Sequence, residues 1–364
     1  MSHLIDTFGD TPLPHRLPAT MQAAQFYAPG DVRIETVPVP PMGPGELLVK
    51  MNTALTCGTD LKCYRRGHPV LLKNFPSPFG HEGAGEVAAI GGGVTAFAVG
   101  DRVVAANSAP CGTCFYCEKH QENLCKSLDL LNGTYAEYLL VPERIATKNT
   151  YQLPAHTPLE IAAFAEPLAD ALRGVMALNL HPGDTLAVLG TGPIGQLMIK
   201  AATVLGISVV AFGRSELKNR MAQDFGGATT VLSLDITVSP ESIKARYTPQ
   251  GRGFDGVLEA VGTPETWAYA MQLARKGGVV NWFGGCPGDS TVTLPTRPIH
   301  YDEIRLMSLF HHTPAYFALA VEWLTTGKID PTPLITQHLP LERVVEGLEA
   351  MANGTAIKVA IEVK

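Results

Sequence analysis

The stretch Asp184-Thr185-Leu186-Ala187-Val188-Leu189-Gly190-Thr191-Gly192-Pro193-Ile194-Gly195 runs from an apolar strand through a glycine turn into the start of a helix. It carries the G-x-G-x-x-G spacing in the strand-turn-helix setting that gives this spacing its meaning. Gly190, Gly192, Pro193, Ile194 and Gly195 are therefore candidate cofactor contacts. Gly192 lets the backbone approach a pyrophosphate, and the helix start supplies amides and partial positive charge. A helical pattern from Gln196 to Leu205 and a strand from Ser208 to Phe212 complete a βαβ unit. Alternation continues through Gly256 to Ala260 and Gly277 to Gly284, which predicts a doubly wound α/β sheet. About 20 residues past such a fingerprint an NAD site usually has Asp or Glu on the ribose 2′-hydroxyl. This chain reads Gly213-Arg214-Ser215 there, with no carboxylate to repel a 2′-phosphate and with an arginine that can bind one bidentately. The expected cofactor is NADP(H) in preference to NAD(H).

Upstream, Phe79-Gly80-His81-Glu82-Gly83-Ala84-Gly85-Glu86-Val87 and Cys57-Gly58-Thr59-Asp60 gather a thiol, an imidazole and carboxylates on two short turns. These are the ligand types that hold Zn²⁺ while leaving one position open for water or substrate. The glycines suit a tight bend close to a metal. Cys111-x₂-Cys114-x₂-Cys117-x₇-Cys125 then offers four thiols whose spacing can wrap one tetrahedral Zn²⁺ with every position filled, a structural site. Seven cysteines is an odd number with four of them clustered, which favours metal over disulfides and a reducing, cytoplasmic compartment.

Composition narrows the partners. A net charge of -6 and the absence of long basic runs argue against nucleic acid, and around the cysteine lobe Glu118, Glu122 and Asp129 offset Lys119 and Lys126. No apolar stretch reaches the ~18 residues of a membrane helix, and the N-terminus has no basic start followed by an apolar run. A small-molecule partner is expected. A chain of 364 residues, 46% hydrophobic, accommodates two cored domains. Residues 1–20, with Pro12, Pro14 and Pro18, read as a loose N-terminal extension. Alternating segments at Ala23–Tyr27, Val32–Val37, Glu46–Ala54, Val87–Ile90 and Asp101–Ala105 read as antiparallel strands of a catalytic domain over 21–165, with the cysteine lobe at 108–126. One helical pattern spans Thr157 to Leu180, with Thr157 as a possible N-cap, and carries Glu166-Pro167. The dinucleotide-binding domain is expected over 166–304. A return to the first domain is expected over 305–364, with a helix around Ala315 to Thr325 and a closing strand from Lys358 to Val363.

In this order, the Cys-Gly-Thr-Asp turn, the Gly-His-Glu turn, the four-cysteine lobe and the dinucleotide fingerprint resemble the zinc-dependent medium-chain alcohol dehydrogenase family, closest to its sorbitol and threonine dehydrogenase branch. The resemblance runs from about Met21 to the C-terminus. It implies a GroES-like, β-rich catalytic domain split by a Rossmann doubly wound parallel sheet domain, with the active site in the cleft between them. It further implies that Cys57, His81 and either Glu82 or Glu166 hold the catalytic zinc, and that Cys111, Cys114, Cys117 and Cys125 hold the structural one. Asp60 resembles the acid that orients the zinc histidine, a role with a physical reason in fixing the ring and strengthening its donor nitrogen. Homodimers or homotetramers are what the resemblance favours.

Two departures stand out. Where many family members carry a proton-relay histidine, this chain has Lys62, and where sorbitol-type enzymes carry a pocket arginine it reads Leu309-Phe310-His311-His312. The expected chemistry is reversible oxidation of a secondary alcohol, polyol or sugar alcohol. Zinc acts as Lewis acid on the substrate oxygen, Thr59 passes the proton outward, and hydride goes to the nicotinamide. Lys62, Tyr64, His311 and His312 are further pocket candidates. The alternative is a non-catalytic NADP(H)-binding sensor or structural relative of the same fold, with zinc only in the cysteine lobe.

Overall fold

The computed structural model describes residues 17–68, 71, 72 and 74–363. Most of the expected N-terminal extension, residues 1–16, lies outside the described residues. Strands β1 (Thr20–Ala28) and β2 (Asp31–Pro38) form an antiparallel pair with Ala24 opposite Ile34. Strand β3 (Leu47–Leu55) is buried at seven of its nine positions and is the spine of a second, seven-stranded sheet. Helix α1 (Gly58–Arg66) follows it directly. Strand β4 (Gly83–Ile90) pairs with β3, Met51 facing Gly85 and Ala54 facing Gly83. Beyond β4 the sheet continues through β5 (Arg102–Ala105), while β6 (Tyr138–Val141) also pairs with β3 and β7 (Thr150–Gln152) with β5. On the other side of β3 lies the C-terminal strand Lys358–Glu362, with Ala360 opposite Leu55. Three segments distant in sequence therefore meet at one end of β3: residues 56–60, 81–82 and 358.

The helical pattern expected from Thr157 to Leu180 is broken. Leu159–Ala162 forms one turn, and helix α2 (Ala165–Met176) starts afresh. The cause is Pro167: its ring clashes with the carbonyl four residues back and it has no N–H, so it is tolerated only in a first turn. Glu166 is thereby placed in the first turn of α2. Strand β8 (Thr185–Leu189), helix α3 (Pro193–Val204) and strands β9 (Ser208–Gly213), β10 (Thr230–Ser233), β11 (Phe254–Glu259) and β12 (Ala274–Trp282) follow. All pair in parallel, in the order β10-β9-β8-β11-β12, and β13 (Arg305–Met307) adds a sixth parallel strand on β12. The expected return to the first domain at residue 305 is thus too early. Three residues are too few for a strand period to be visible in the sequence. Every residue of β8 and β11 is buried, as strands covered on both faces must be. Helix α4 (Pro314–Thr325) packs on α2, which packs on α3. One apolar core runs through α2, joining Leu55 and Ala84 of one sheet to Leu186 and Leu197 of the other unit. Among the described residues no helix is long and apolar enough to cross a membrane.

Candidate active site and cofactor cleft

Cys57 caps the N-terminus of α1. Its Sγ accepts from Thr59 N at 3.3 Å, while Asp60 Oδ2 accepts from Cys57 N at 3.2 Å, a capping box with a thiol where serine or threonine usually stands. What reads as a free turn is the first turn of a helix. Asp60 is 1% exposed; its Oδ1 lies 2.8 Å from His81 Nδ1, and its Oδ2 accepts from the Tyr135 hydroxyl at 2.6 Å. An ionised carboxylate only accepts, so Nδ1 carries the hydrogen and Nε2 is free to face a metal. Burial works against charge on His81, but Asp60 and the Cys57 thiol raise its pKa well above the usual range. The backbone of the His-Glu pair is pinned to β3 by Leu55 N donating to Glu82 O at 3.0 Å.

Ligand atoms of Cys57, His81 and Glu82 lie within 4.8 Å of one another, and Glu166 Oε1 is 4.0 Å from His81 Nε2. Glu82 is fully buried. Its Oε2 accepts from Lys358 Nζ, and its Oε1 has no protein partner. Lys358, also buried, donates in addition to Thr56 O at 3.0 Å. Burial would neutralise this amine, but Glu82 beside it lifts Lys358 above its usual range. Sulfur, imidazole and an orphaned carboxylate oxygen converging on one point form the donor set of a zinc site with an open position, so the residues fit that metal. Burial pushes Glu166 up to about 8, His81 opposing and Asp170 and Glu82 adding, and its Oε1 accepts from Asn107 Nδ2 at 2.8 Å.

In the lobe, Sγ separations are 3.9 Å for Cys111–Cys117, 3.6 Å for Cys114–Cys117 and 3.8 Å for Cys114–Cys125. These are far too long for disulfides, and all four thiols are free. They match the ~3.8 Å edge of a tetrahedron with Zn–S bonds of about 2.3 Å. Amides support the sulfurs: Cys111 N reaches Cys125 Sγ at 3.2 Å and Ser127 N reaches it at 3.4 Å. The Thr113 amide heads the groups that hold Cys111 down to about 6.

The fingerprint sits at the carboxyl end of β8, where open α/β sheets bind ligands. Gly190 has φ +109°, and a Cβ on Gly195 would fall 2.0 Å from Gly190 O, so both positions require glycine. Gly192 caps α3 with open space around it, and Pro193 opens the helix, followed by Ile194. Gly213 ends β9. A Cβ there would meet Asn219 Oδ1 and Thr191 Oγ1, both at 2.0 Å, and these two groups bond each other at 3.0 Å. Any side chain at position 213 would collide with this pair. Exposed Arg214 lines an adjacent cavity of about 470 Å³ together with Ser233, Asp235, Val261, Thr263 and Glu265. Ser215 caps the helix that follows β9.

Of the remaining candidates, Lys62 is exposed on α1 and Tyr64 packs into the apolar cluster of Phe26 and Phe79. His311 and His312 do reach the site: with Glu166 they form a second group of ligand atoms within 4.8 Å. Asn107, Tyr135 and Lys358 were not singled out by sequence. Lys358 opens the closing strand, and a lone lysine in an apolar strand is the one signal that points to it.

The description "Alcohol dehydrogenase GroES-like domain" matches residues 43–154, and "Zinc-binding dehydrogenase" matches residues 193–326. The chain is 30% identical over 343 residues to the sorbitol dehydrogenase of Bacillus subtilis (strain 168), covering 92% of this chain and 94% of that one. A Sinorhizobium meliloti 1021 protein solved bound to NADP superposes with a TM-score of 0.86 at 29% identity, covering 95% and 100% of the two chains. An alcohol dehydrogenase from Thermus sp. ATN1 gives 0.85 at 30% identity, covering 94% and 100%. The fold is that of a GroES-like catalytic domain joined to a Rossmann domain, which defines a zinc-binding dehydrogenase class. The chain belongs to the zinc-dependent medium-chain alcohol dehydrogenase family and is an NAD(P)-dependent alcohol or polyol dehydrogenase.

Proposed function

We propose that this enzyme transfers hydride between a secondary alcohol, polyol or sugar alcohol and NADP(H), with one catalytic and one structural zinc. The observation that carries the reading is that ligand atoms of Cys57, His81 and Glu82 lie within 4.8 Å of one another, with Glu82 Oε1 left without a protein partner. Cys57, His81 and Glu82 are assigned as the inner ligands. Glu166 is assigned to an outer position, because it is 4.0 Å from His81 and already accepts from Asn107. Zinc at this set supplies a Lewis acid that polarises the alcohol oxygen, and the nicotinamide supplies the hydride acceptor.

The chain's own residues do the rest. Asp60 orients His81 and fixes its tautomer. Lys358 donates to Glu82 Oε2 and opposes the upward pull of burial on that carboxyl. Thr59, half-buried beside Cys57, is assigned to pass the substrate proton outward. Cys111, Cys114, Cys117 and Cys125 hold the structural ion. Preference for NADP(H) is supported by the filled volume at Gly213 and by Arg214 at the cavity edge, where a 2′-phosphate would be held bidentately. Two carboxylates, Asp235 and Glu265, line the same cavity, and Asp235 is engaged by Thr237 through its amide and hydroxyl. A homodimer or homotetramer is part of the reading, and β13, an edge strand of the Rossmann sheet among the described residues, offers unpaired backbone groups for such contact. The seven free thiols suit a reducing, cytoplasmic compartment.

Initial rates with NADP⁺ and NAD⁺ on a panel of polyols and simple secondary alcohols test the reading. Expected is a kcat/KM at least about 10-fold higher with NADP⁺, and about 10-fold is 1.4 kcal/mol. Comparable values for the two cofactors would overturn the cofactor assignment. Cys57→Ala should fold, retain the lobe zinc and lose turnover. An active variant without zinc in the cleft would overturn the metal assignment.

A further inference from the structure

We infer that Asn107 and His312 are a pair of positioning residues that hold Glu166 just outside the inner ligand set. This rests on the ligand assignment above. Asn107 follows β5, and its Nδ2 donates to Glu166 Oε1 at 2.8 Å while its Oδ1 lies 2.9 Å from His312 Nε2. The amide's placement sets the role of the imidazole. The amide NH₂ faces Glu166. The amide oxygen then faces His312, so His312 Nε2 carries the hydrogen. All three groups are buried.

The geometry says which way the pair pulls. Two nitrogen or oxygen ligands at about 2.0–2.1 Å on a tetrahedral ion are about 3.4 Å apart. Glu166 Oε1 and His81 Nε2 are 4.0 Å apart, with Asn107 on the same oxygen. The carboxylate therefore stands beside the imidazole wider than a ligand pair would, with Asn107 holding the oxygen that faces it.

The restraint is itself anchored. His311, with φ +62°, turns the chain so that His312 faces Asn107 and His311 Nε2 meets Ser108 Oγ at 2.6 Å. A non-glycine residue in that region persists only where its surroundings over-determine it. Here Arg173 donates to the carbonyls of Phe310 (2.9 Å) and His311, and Asn123 Nδ2 donates to Phe310 O at 2.9 Å. Consecutive residues Asn107 and Ser108 thus dock on consecutive histidines. A loop following the last strand of the Rossmann sheet sets the position of a carboxylate in the metal site.

The test is zinc release from the loaded protein to a chromophoric chelator, measured with kcat in Asn107→Leu and His312→Phe. Freed from the pair, Glu166 closes onto the ion and takes the open position, so release should slow at least 5-fold and kcat should fall about 10-fold or more. In a Glu166→Gln background neither substitution should change the release rate. His312→Phe keeps the ring volume and serves if Asn107→Leu fails to fold. Faster release would overturn the inference, because a merely structural or ligand-orienting role loosens the ion. The same change in the Glu166→Gln background would also overturn it. Zinc retained in Glu166→Gln with unchanged release in both variants would overturn the inference alone. Loss of cleft zinc in Glu166→Gln by itself would overturn the ligand assignment and the inference with it.

Discussion

Asp255 offers a stability measurement that neither zinc nor cofactor disturbs. It lies near the start of β11, at the edge of the sheet opposite the carboxyl ends, and is 3% exposed. Arg275 Nε is 2.5 Å from its Oδ1, and Thr185 donates to its Oδ2 through both amide and hydroxyl at 2.8 Å. Burial opposes the charge, but Arg275 and Thr185 together hold the carboxyl down to about 2. A folded-state value depressed from 3.8 contributes stability that is fully present above the unfolded value and is lost as pH falls through the folded one. The depression corresponds to about 2 kcal/mol at neutral pH, of which roughly half remains at pH 3. Arg275 is 35% exposed, so water screens the pair and this figure is a ceiling. Urea unfolding of the wild type and of Asp255→Asn between pH 3 and pH 7 reads it. The stability difference between the two proteins should be flat from pH 7 to about pH 5, then shrink by about 1 kcal/mol by pH 3. Turnover at pH 7 should be unchanged. A difference that stays constant down to pH 3, or that grows, would refute the assignment of this stability to the charge on Asp255.

Lys358→Met strands the buried Glu82 carboxylate and should cost about 3–5 kcal/mol, most of it recovered in Lys358→Met/Glu82→Gln; thermal unfolding of the metal-stripped proteins gives the cycle. Gly213→Asp places its Cβ 2.0 Å from Asn219 and Thr191, so it should lower stability by about 1–3 kcal/mol and gain little NAD⁺ activity. Adding Asn219→Ala and Thr191→Ala should restore the melting temperature and move kcat/KM toward NAD⁺. Cys117→Ser, in a lobe whose sulfurs sit at tetrahedral spacing, should drop zinc content by one ion per chain while the cleft zinc stays, as read by metal analysis of the purified variant.

Sequence reading reached the parts of the molecule that rest on local pattern. The fingerprint around Gly190 is a strand, a positive-φ glycine and a helix cap within 12 residues, and each leaves a mark in the local text. The four cysteines are legible for the same reason, since their spacing alone places the sulfurs on one point. Glu166 was found, but its surroundings were not, because the break before α2 turns on the clash of Pro167 with a carbonyl four residues back. Strand β13 escaped because three residues carry no period. Lys358, Tyr135 and Asn107 escaped for a different reason: each reaches the site only through strand pairing or loop packing between segments far apart in the chain. Ala360 opposite Leu55 brings Lys358 beside Thr56, a contact across about 300 residues that no local pattern announces.

That division has a chemical counterpart. The groups legible in sequence, Cys57, His81, Glu82 and the glycines, are those proposed to touch metal or cofactor, and they sit in short motifs because backbone turns must bring them close. The groups that were not legible act on those residues rather than on the ligands. Tyr135 holds Asp60, Lys358 holds Glu82, and Asn107 with His312 holds Glu166. Each comes from a separate element, and Lys358 and His312 lie on the far side of the Rossmann insertion in sequence. On the assignments proposed above, the reacting set of this chain is carried by motifs, whereas the carboxylate beside it is positioned through the loop at 308–313, where the sequence departs from the sorbitol-type pattern. For this chain, exchange of that loop should change metal release and substrate range together, whereas exchange of Arg214 should change the cofactor alone.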